Sequence, residues 1–379
     1  MSDFTQKNYP RDGGNSAGAG AYSLNEILSQ AECWQRCFAE LKCSDALEEA
    51  QACFGDGKEW LFVGCGSSFY VALAAASTMR SLTGRRAWAV PASEILLYPE
   101  LVFSTAPFVP ILISRSGRTS EVLKATEVLR ERGVPSLAVT CAKGQALENL
   151  ASITITLPAD ERSTVMTRSF TSMLLALQFL AGRIARNDGY CNELVSMPGR
   201  VAPVLAKLPE LIQDFTARHS FANYVCLGHG PFYGLACEYS LKLTEMSLST
   251  AQVFYSLEFR HGPKSIVTPQ TLVIFILSEQ GYAAECELLE EIKSLGGTTL
   301  AIANHADARV RAASDLVLEF QLPLGEYARL APALVPGQLL ALQTGLKKGL
   351  NPDSPRFLSR SVILAGDSSK KNSAPEPVA

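Results

Sequence analysis

Val109-Pro110-Ile111-Leu112-Ile113-Ser114-Arg115-Ser116-Gly117-Arg118-Thr119-Ser120-Glu121 is a short apolar run that ends in a hydroxyl-rich turn and passes into a helix-period stretch. An apolar run of this length bounded by turn residues reads as a buried strand, and the Ser and Thr after it as the cap of a helix. Trp60-Leu61-Phe62-Val63, followed by Gly64-Cys65-Gly66-Ser67-Ser68-Phe69, repeats the unit, and Ser136-Leu137-Ala138-Val139 is a third such run. Strand, turn and helix in succession predict an α/β chain with parallel strands. In such sheets ligands bind beyond the carboxyl ends of the strands, where these turns lie.

The second half repeats the pattern with Tyr224-Val225-Cys226-Leu227, Thr271 to Leu277 and Thr299-Leu300-Ala301-Ile302. Sliding the chain by 164 residues lays Gly64 on Gly228, Gly66 on Gly230, Glu94 on Glu258, Ser114 on Ser278 and Gly117 on Gly281 without a gap. That points to an internal duplication, and 379 residues suffice for two cores. The expected organisation is a disordered start over 1–20, a helical segment over 21–50, a first domain over 51–195, a second over 205–365 and a disordered tail over 366–379. Asn187-Asp188-Gly189 and Met197-Pro198-Gly199 are read as breaks between the halves.

Hydrophobic residues make up 47% and charged residues 19%, the balance of a packed globular protein. A net charge of -3 and a pI near 5.9 supply no general pull toward nucleic acid or an anionic membrane, so neither is an expected partner. No apolar stretch of signal-peptide length opens the chain, and no run of membrane-spanning length occurs. Ten cysteines without a C-x-x-C pair read as reduced thiols of a cytoplasmic protein. With only four histidines, neither a metal site nor a cofactor is expected.

Phe69 stands where the dinucleotide fingerprint requires its third glycine, which disfavours a nicotinamide or flavin site at the Gly64 turn. It remains either a tight turn with a Ser cap or a place where Ser67 and Ser68 donate to a ligand at a helix start. The turn Ser114 to Thr119 offers backbone N–H groups, hydroxyls and two guanidiniums, which suit a phosphate monoester. A capped helix with solvated arginines is the plainer alternative. A third hydroxyl cluster runs from Ser163 to Ser172 and includes Thr167. Glu238, Lys242 and Glu245 fall at i, i+4 and i+7 on one helix face, an arrangement usual for an exposed salt-bridged surface. Glu258-Phe259-Arg260-His261-Gly262-Pro263 places a histidine in a bend, where it is either structural or catalytic.

Taken as a set, these stretches resemble the sugar-isomerase (SIS) family, in particular the isomerase half of glucosamine-6-phosphate synthases. There the turns read G-C-G-T-S and S-Q-S-G-E-T, the catalytic helix reads L-K-L-K-E, and K-H-G-P follows sixteen residues after its glutamate. Here stand Gly64 to Ser68, Ser114 to Thr119, Leu241-Lys242-Leu243-Thr244-Glu245 and Arg260-His261-Gly262-Pro263, with sixteen residues from Glu245 to His261. The Ser-Arg-Ser-Gly turn and Val165-Met166-Thr167-Arg168-Ser169-Phe170-Thr171 resemble the AgaS-type branch more closely, the tagatose-6-phosphate ketose/aldose isomerases and galactosamine-6-phosphate deaminases.

The resemblance implies two tandem SIS domains, each a parallel five-stranded sheet flanked by helices in a flavodoxin-like three-layer sandwich. The first would bind phosphate and the second supply the catalytic Glu and His. It implies that Ser67, Ser68, Ser114, Arg115, Ser116, Thr119, Thr167, Glu258 and Arg360 bind the sugar phosphate. Glu245, with Lys242, would move the proton between C1 and C2, and His261 would assist ring opening, within a homodimer or higher homo-oligomer. No glutaminase-like segment precedes the first half, so net amination from glutamine is not expected. Arg360 stands where the synthases carry an imine-forming lysine, and a guanidinium is a poor nucleophile for that step. The expected activity is conversion of a hexosamine 6-phosphate, galactosamine 6-phosphate foremost, to the ketose 6-phosphate and ammonia. The alternatives are a simple aldose/ketose isomerase and a non-catalytic sugar-phosphate-binding regulator. A regulator of this kind would be expected to carry a basic helix-turn-helix, and the first fifty residues offer none.

Overall fold

The structure, a computed structural model, describes residues 18–103 and 107–364. Most of the expected disordered start and all of the expected disordered tail lie outside the described residues. Helices α1 (Ala21–Leu28), α2 (Gln30–Cys43) and α3 (Ala46–Phe54) lead into the first half. It comprises β1 (Glu59–Gly64), α4 (Ser67–Thr83), β2 (Arg86–Pro91), α5 (Ala92–Leu97), α6 (Pro99–Phe103), β3 (Val109–Ile113), α7 (Ser120–Glu131), β4 (Leu137–Thr140), α8 (Ala146–Leu150), β5 (Ile153–Thr156) and α9 (Arg168–Ile184). Helices α10 (Asp188–Leu205) and α11 (Leu208–Arg218) connect to the second half. That half comprises β6 (Asn223–Gly228), α12 (Pro231–Ser247), β7 (Thr250–Tyr255), β8 (Thr271–Ile276), α13 (Tyr282–Ser294), β9 (Thr298–Ala303), α14 (Ala308–Ala313), β10 (Leu316–Glu319) and α15 (Leu330–Lys347).

Each half forms a five-stranded parallel sheet, ordered β2-β1-β3-β4-β5 in one and β7-β6-β8-β9-β10 in the other. This is the flavodoxin-like order 2-1-3-4-5 twice. Helices cover both faces, which is why the central strands are apolar at every position instead of alternating. Along β1, Trp60 and Phe62 enter one hydrophobic cluster while Leu61 and Val63 enter another. Along β6, Tyr224 and Cys226 join the same cluster as Trp60, whereas Val225 and Leu227 face a third. The two sheets thus share one inner core and keep one outer core each.

Small residues set the seam. A Cβ on Gly234 of α12 would lie 2.8 Å from the Tyr70 carbonyl oxygen of α4, and one on Gly337 of α15 would lie 2.3 Å from the Tyr239 ring. Buried amides continue the seam: Gln30 donates to Gln338 (2.8 Å), Gln338 donates to the Thr167 carbonyl (3.1 Å), and Trp34 Nε1 donates to Thr171 (2.8 Å). The N-terminal helices are therefore built into the core.

The duplication is visible in the backbone. Gly66 (φ 55°, ψ -128°) and Gly230 (φ 53°, ψ -126°) adopt one left-handed turn conformation that suits glycine, each just before its helix. The ungapped shift of 164 holds for β1 and β2 against β6 and β7. It fails by one residue from β3 onward: Phe62 pairs with Ile111 and Cys226 with Ile274, so Ile111 maps to Ile274, a shift of 163. Ser114 therefore corresponds to Leu277 and not to Ser278, because the segment between the second and third strands of each half differs by one residue.

Met197-Pro198-Gly199, read as a break, lies inside α10, which carries Pro198 and Pro203 within its length. All ten cysteines are free, seven of them buried. Among the described residues no helix is long and apolar enough to cross a membrane.

Candidate active site

The expected cradle lies at the carboxyl end of β3. Ser114 is buried, its N–H held by the Val139 carbonyl at 3.1 Å, and the turn closes through Gly117 N–H to the Ser114 carbonyl at 3.2 Å. Gly117 takes φ 61°, and a Cβ there would sit 2.8 Å from Gln145 Cβ. The Ser114 and Thr119 hydroxyls stand 3.3 Å apart. Thr119 precedes α7 without its hydroxyl capping the helix, and the N–H of Ser120 that follows is taken by the Val362 carbonyl at 3.1 Å. Cys65 Sγ approaches Glu121 Oε2 at 3.9 Å, which brings the first turn beside the second, and Ser67 and Ser68 are buried at the start of α4.

The corresponding turn of the second half is already occupied by protein. Glu285, fully buried on α13, accepts from Ser278 N–H (2.8 Å), Ser278 Oγ (2.9 Å) and Ser256 Oγ (2.8 Å). A carboxylate thus occupies the second half's turn, whereas among the described residues no carboxylate accepts from the Ser114 or Thr119 hydroxyl.

Glu238, Lys242 and Glu245 do not form an exposed face. The α4–α12 crossing encloses them: Lys242 is 1% exposed and Glu238 fully buried. Ser67 Oγ donates to Glu238 Oε1 at 3.0 Å, Lys242 Nζ stands 3.2 Å from the same oxygen, and Lys242 donates also to Glu245. Burial pushes the Glu238 pKa up to about 7, with Lys242 and Ser67 opposing it, and among the described residues its Oε2 has no partner. Burial pulls Lys242 down, but the carboxylates of Glu238 and Glu245 outweigh it and leave its pKa above the usual value. Glu245 is the outer, half-buried member. The three groups form a relay from the base of the first turn to an accessible carboxylate, able to take, store and return a proton.

Glu258 and His261 lie in a 3-10 turn (Ser256–Arg260) and at its end, after the edge strand β7. Both are exposed, and among the described residues neither side chain hydrogen-bonds or pairs with the relay. His229 Nε2 accepts from Leu257 N–H at 3.2 Å and holds this turn in place. The chain thus displays His261 outward instead of bringing it to its own Glu245.

Besides Ser67, which Glu238 takes, the expected ligands Arg115, Thr167 and Arg360 are engaged by protein groups. Arg115 donates to Glu161 Oε2 (3.2 Å), the Thr164 carbonyl (3.0 Å) and the Arg360 carbonyl (2.6 Å). The Thr167 hydroxyl donates to Glu161 at 3.1 Å, and the Arg360 guanidinium donates to the Glu161 carbonyl. Arg115 is thereby a tie between segments, because its fork meets a buried carboxylate before it can meet solvent. Glu161 was not singled out in the sequence; its signal there is an acidic residue six positions ahead of Thr167 at the foot of a hydroxyl cluster. Ser116 is partly buried, and its hydroxyl accepts from Arg118 N–H at 3.3 Å. Among the described residues no cluster of three His, Cys, Asp or Glu groups is placed to hold a metal ion.

The glutamine–fructose-6-phosphate aminotransferase (isomerizing) of Bacteroides thetaiotaomicron is 29% identical over 364 residues, 90% of this chain and 58% of that protein. That of Pyrobaculum aerophilum is 29% identical over 361 residues, 90% of this chain and 57% of that protein. The chain thus spans little more than half the length of these curated relatives. Among solved structures, glucosamine-6-phosphate deaminase from Thermotoga maritima superposes with a TM-score of 0.76 at 29% identity, covering 90% of this chain and 100% of that one. Tagatose-6-phosphate ketose/aldose isomerase from Escherichia coli gives a TM-score of 0.79 at 24% identity, covering 92% and 98%, a likeness of fold. The model of the SIS domain matches residues 56–183 and 223–332, one stretch over each sheet, and the chain belongs to the SIS domain family.

Proposed function

We propose that the chain is a phosphosugar enzyme that converts a hexosamine 6-phosphate, galactosamine 6-phosphate foremost, to the ketose 6-phosphate and ammonia. The observation that carries this reading is the Ser67–Glu238–Lys242–Glu245 relay, which links the start of α4, beside the Ser114 to Thr119 turn, to the carboxylate of Glu245. Glu245 takes the proton from C2 of the open-chain aldose and returns it to C1. With an amine on C2, the shift leaves an imine there, which water hydrolyses to ketone and ammonia. Ser68, Ser114, Ser116 and Thr119 hold the phosphate. Lys242 holds Glu245 in place. The likeness to the Thermotoga deaminase, over nearly the whole chain, supports the deaminating form.

In this reading Arg360 forms no imine with substrate, since a guanidinium is a poor nucleophile and this one is engaged by the Glu161 carbonyl. The outward His261 serves the site of a second copy, where it protonates the ring oxygen for opening, so the working unit is a cytoplasmic homodimer or higher homo-oligomer. Galactosamine, glucosamine, N-acetylated hexosamine and neutral hexose 6-phosphates offered to the protein, with ammonia and ketose recorded separately, test the assignment. Equimolar ammonia and ketose from a free hexosamine phosphate are expected. Ketose from neutral sugars only, with no ammonia from any amino sugar, would replace the deaminase by a simple isomerase.

A further inference from the structure

Arg115 and Arg360 cross over Glu161. Arg115 reaches the Arg360 carbonyl while the Arg360 guanidinium reaches the Glu161 carbonyl. The Glu161 carboxylate is fully enclosed and takes four donors besides Arg115: Thr167 N–H (2.6 Å), Thr167 Oγ1 (3.1 Å), Ser169 N–H (2.9 Å) and Ser169 Oγ (2.7 Å). It therefore caps α9 with one oxygen and anchors Arg115 with the other, and its geometry leaves little freedom.

Two residues beyond this clasp, the Val362 carbonyl accepts from Ser120 N–H (3.1 Å), and Leu364 N–H donates to Ser120 Oγ (3.0 Å). Ser120 is the first residue of α7, directly after the cradle. The C-terminal segment is thus pinned at the clasp and at the helix start. Apolar burial does not hold it: Phe357 is 99% exposed, and Val362 and Ile363 are each about half exposed. A segment held by polar ties alone opens when a tie is cut.

We propose that Glu161 is a positioning residue of the phosphosugar site: by holding Arg115 it fixes residues 360–364 against the start of α7 and so sets the shape of the cradle. The inference rests on the reading of Ser114 to Thr119 as a phosphate turn. Glu161→Gln keeps an acceptor for the α9 amides and turns an NH2 toward Arg115, while Arg115→Met removes the tie from the other side and Arg115→Lys keeps one cationic donor.

The test combines amide exchange of Ser120 and Leu364, calorimetric binding of inorganic phosphate, and steady-state kinetics on the active hexosamine phosphate, with Leu288→Ala, in the outer core of the second half, as a variant destabilised away from the clasp. In Glu161→Gln and Arg115→Met, exchange at both amides should rise and phosphate binding weaken about tenfold, with KM rising more than kcat falls. Arg115→Lys should recover part of each loss. Phosphate binding and KM equal to wild type in both clasp variants, or shifted equally in Leu288→Ala, would overturn the proposal. Wild-type protein that binds no phosphate would overturn the cradle reading itself, and the positioning role with it.

Discussion

Ser67, the first residue of a helix in one half, donates a 3.0 Å hydrogen bond to Glu238 on a helix of the other half. In the proposed reading, the phosphate side and the proton-transfer side of the site meet at this buried contact. Ser67→Ala removes one of the two donors to Glu238 Oε1 and pushes the Glu238 pKa further up, since the hydroxyl favours the ionised form. A loss of roughly 1–3 kcal/mol in stability above pH 7 is expected. Urea unfolding at pH 8 checks it, and equal midpoints for variant and wild type would remove the contact from the argument.

Glu238 should leave a signature in stability against pH. Its folded-state pKa of about 7 stands above the ordinary 4.5, so between these values the folded chain keeps a proton that the unfolded chain has released. This group's contribution is present below pH 4.5 and is lost as pH rises through 7. Glu238→Gln should therefore flatten the decline in unfolding free energy over that window, read from denaturant titrations at pH 5, 6, 7 and 8. A decline of equal slope in both proteins contradicts the assignment.

Glu245 stands at the outer end of the relay and pairs with Lys242 of its own helix. Glu245→Gln is expected to lower kcat by about 10²–10⁴-fold with only a small change in thermal midpoint. Activity within a factor of about two of wild type would transfer the proton-moving role elsewhere.

If His261 serves a neighbouring copy, two inactive variants should complement. Mixing Glu245→Gln with His261→Ala protein, after reversible dissociation, should restore about a quarter of wild-type activity, because half of the dimers are mixed and each has one intact site. An active monomer on size-exclusion chromatography, or no recovery from mixed dimers shown to have formed, argues that His261 does not act across the interface.

Gly337 faces the Tyr239 ring so closely that a methyl group has no room. Gly337→Ala should destabilise the chain by about 1–3 kcal/mol through separation of α12 from α15. A thermal midpoint unchanged from wild type would mean that this crossing yields more easily than its geometry states.

Much of the fold is legible in residue order. The runs at Trp60, Val109, Tyr224 and Thr271 are buried strands, and the turns after Val63 and Leu227 share one backbone conformation. The one-residue slip that separates Ser114 from Ser278 was not legible, because an ungapped comparison rewards matching letters, whereas pairing register is set by backbone hydrogen bonds between strands. Spacing placed Glu238, Lys242 and Glu245 on one helix face, yet whether that face meets water or α4 depends on a crossing that Gly234 permits and no local pattern announces.

The sequence by itself determined the α/β unit, its duplication and the hydroxyl-rich turn after Ile113, since strand period, glycine at special dihedrals and helix caps are local properties. Only the tertiary structure decided that Arg115 ties the C-terminal segment to Glu161 and that Glu285 fills the second half's turn. The reason is physical: an arginine and a serine turn carry the same donors wherever they stand, and what they bind is set by which buried acceptor the rest of the chain brings within three ångströms.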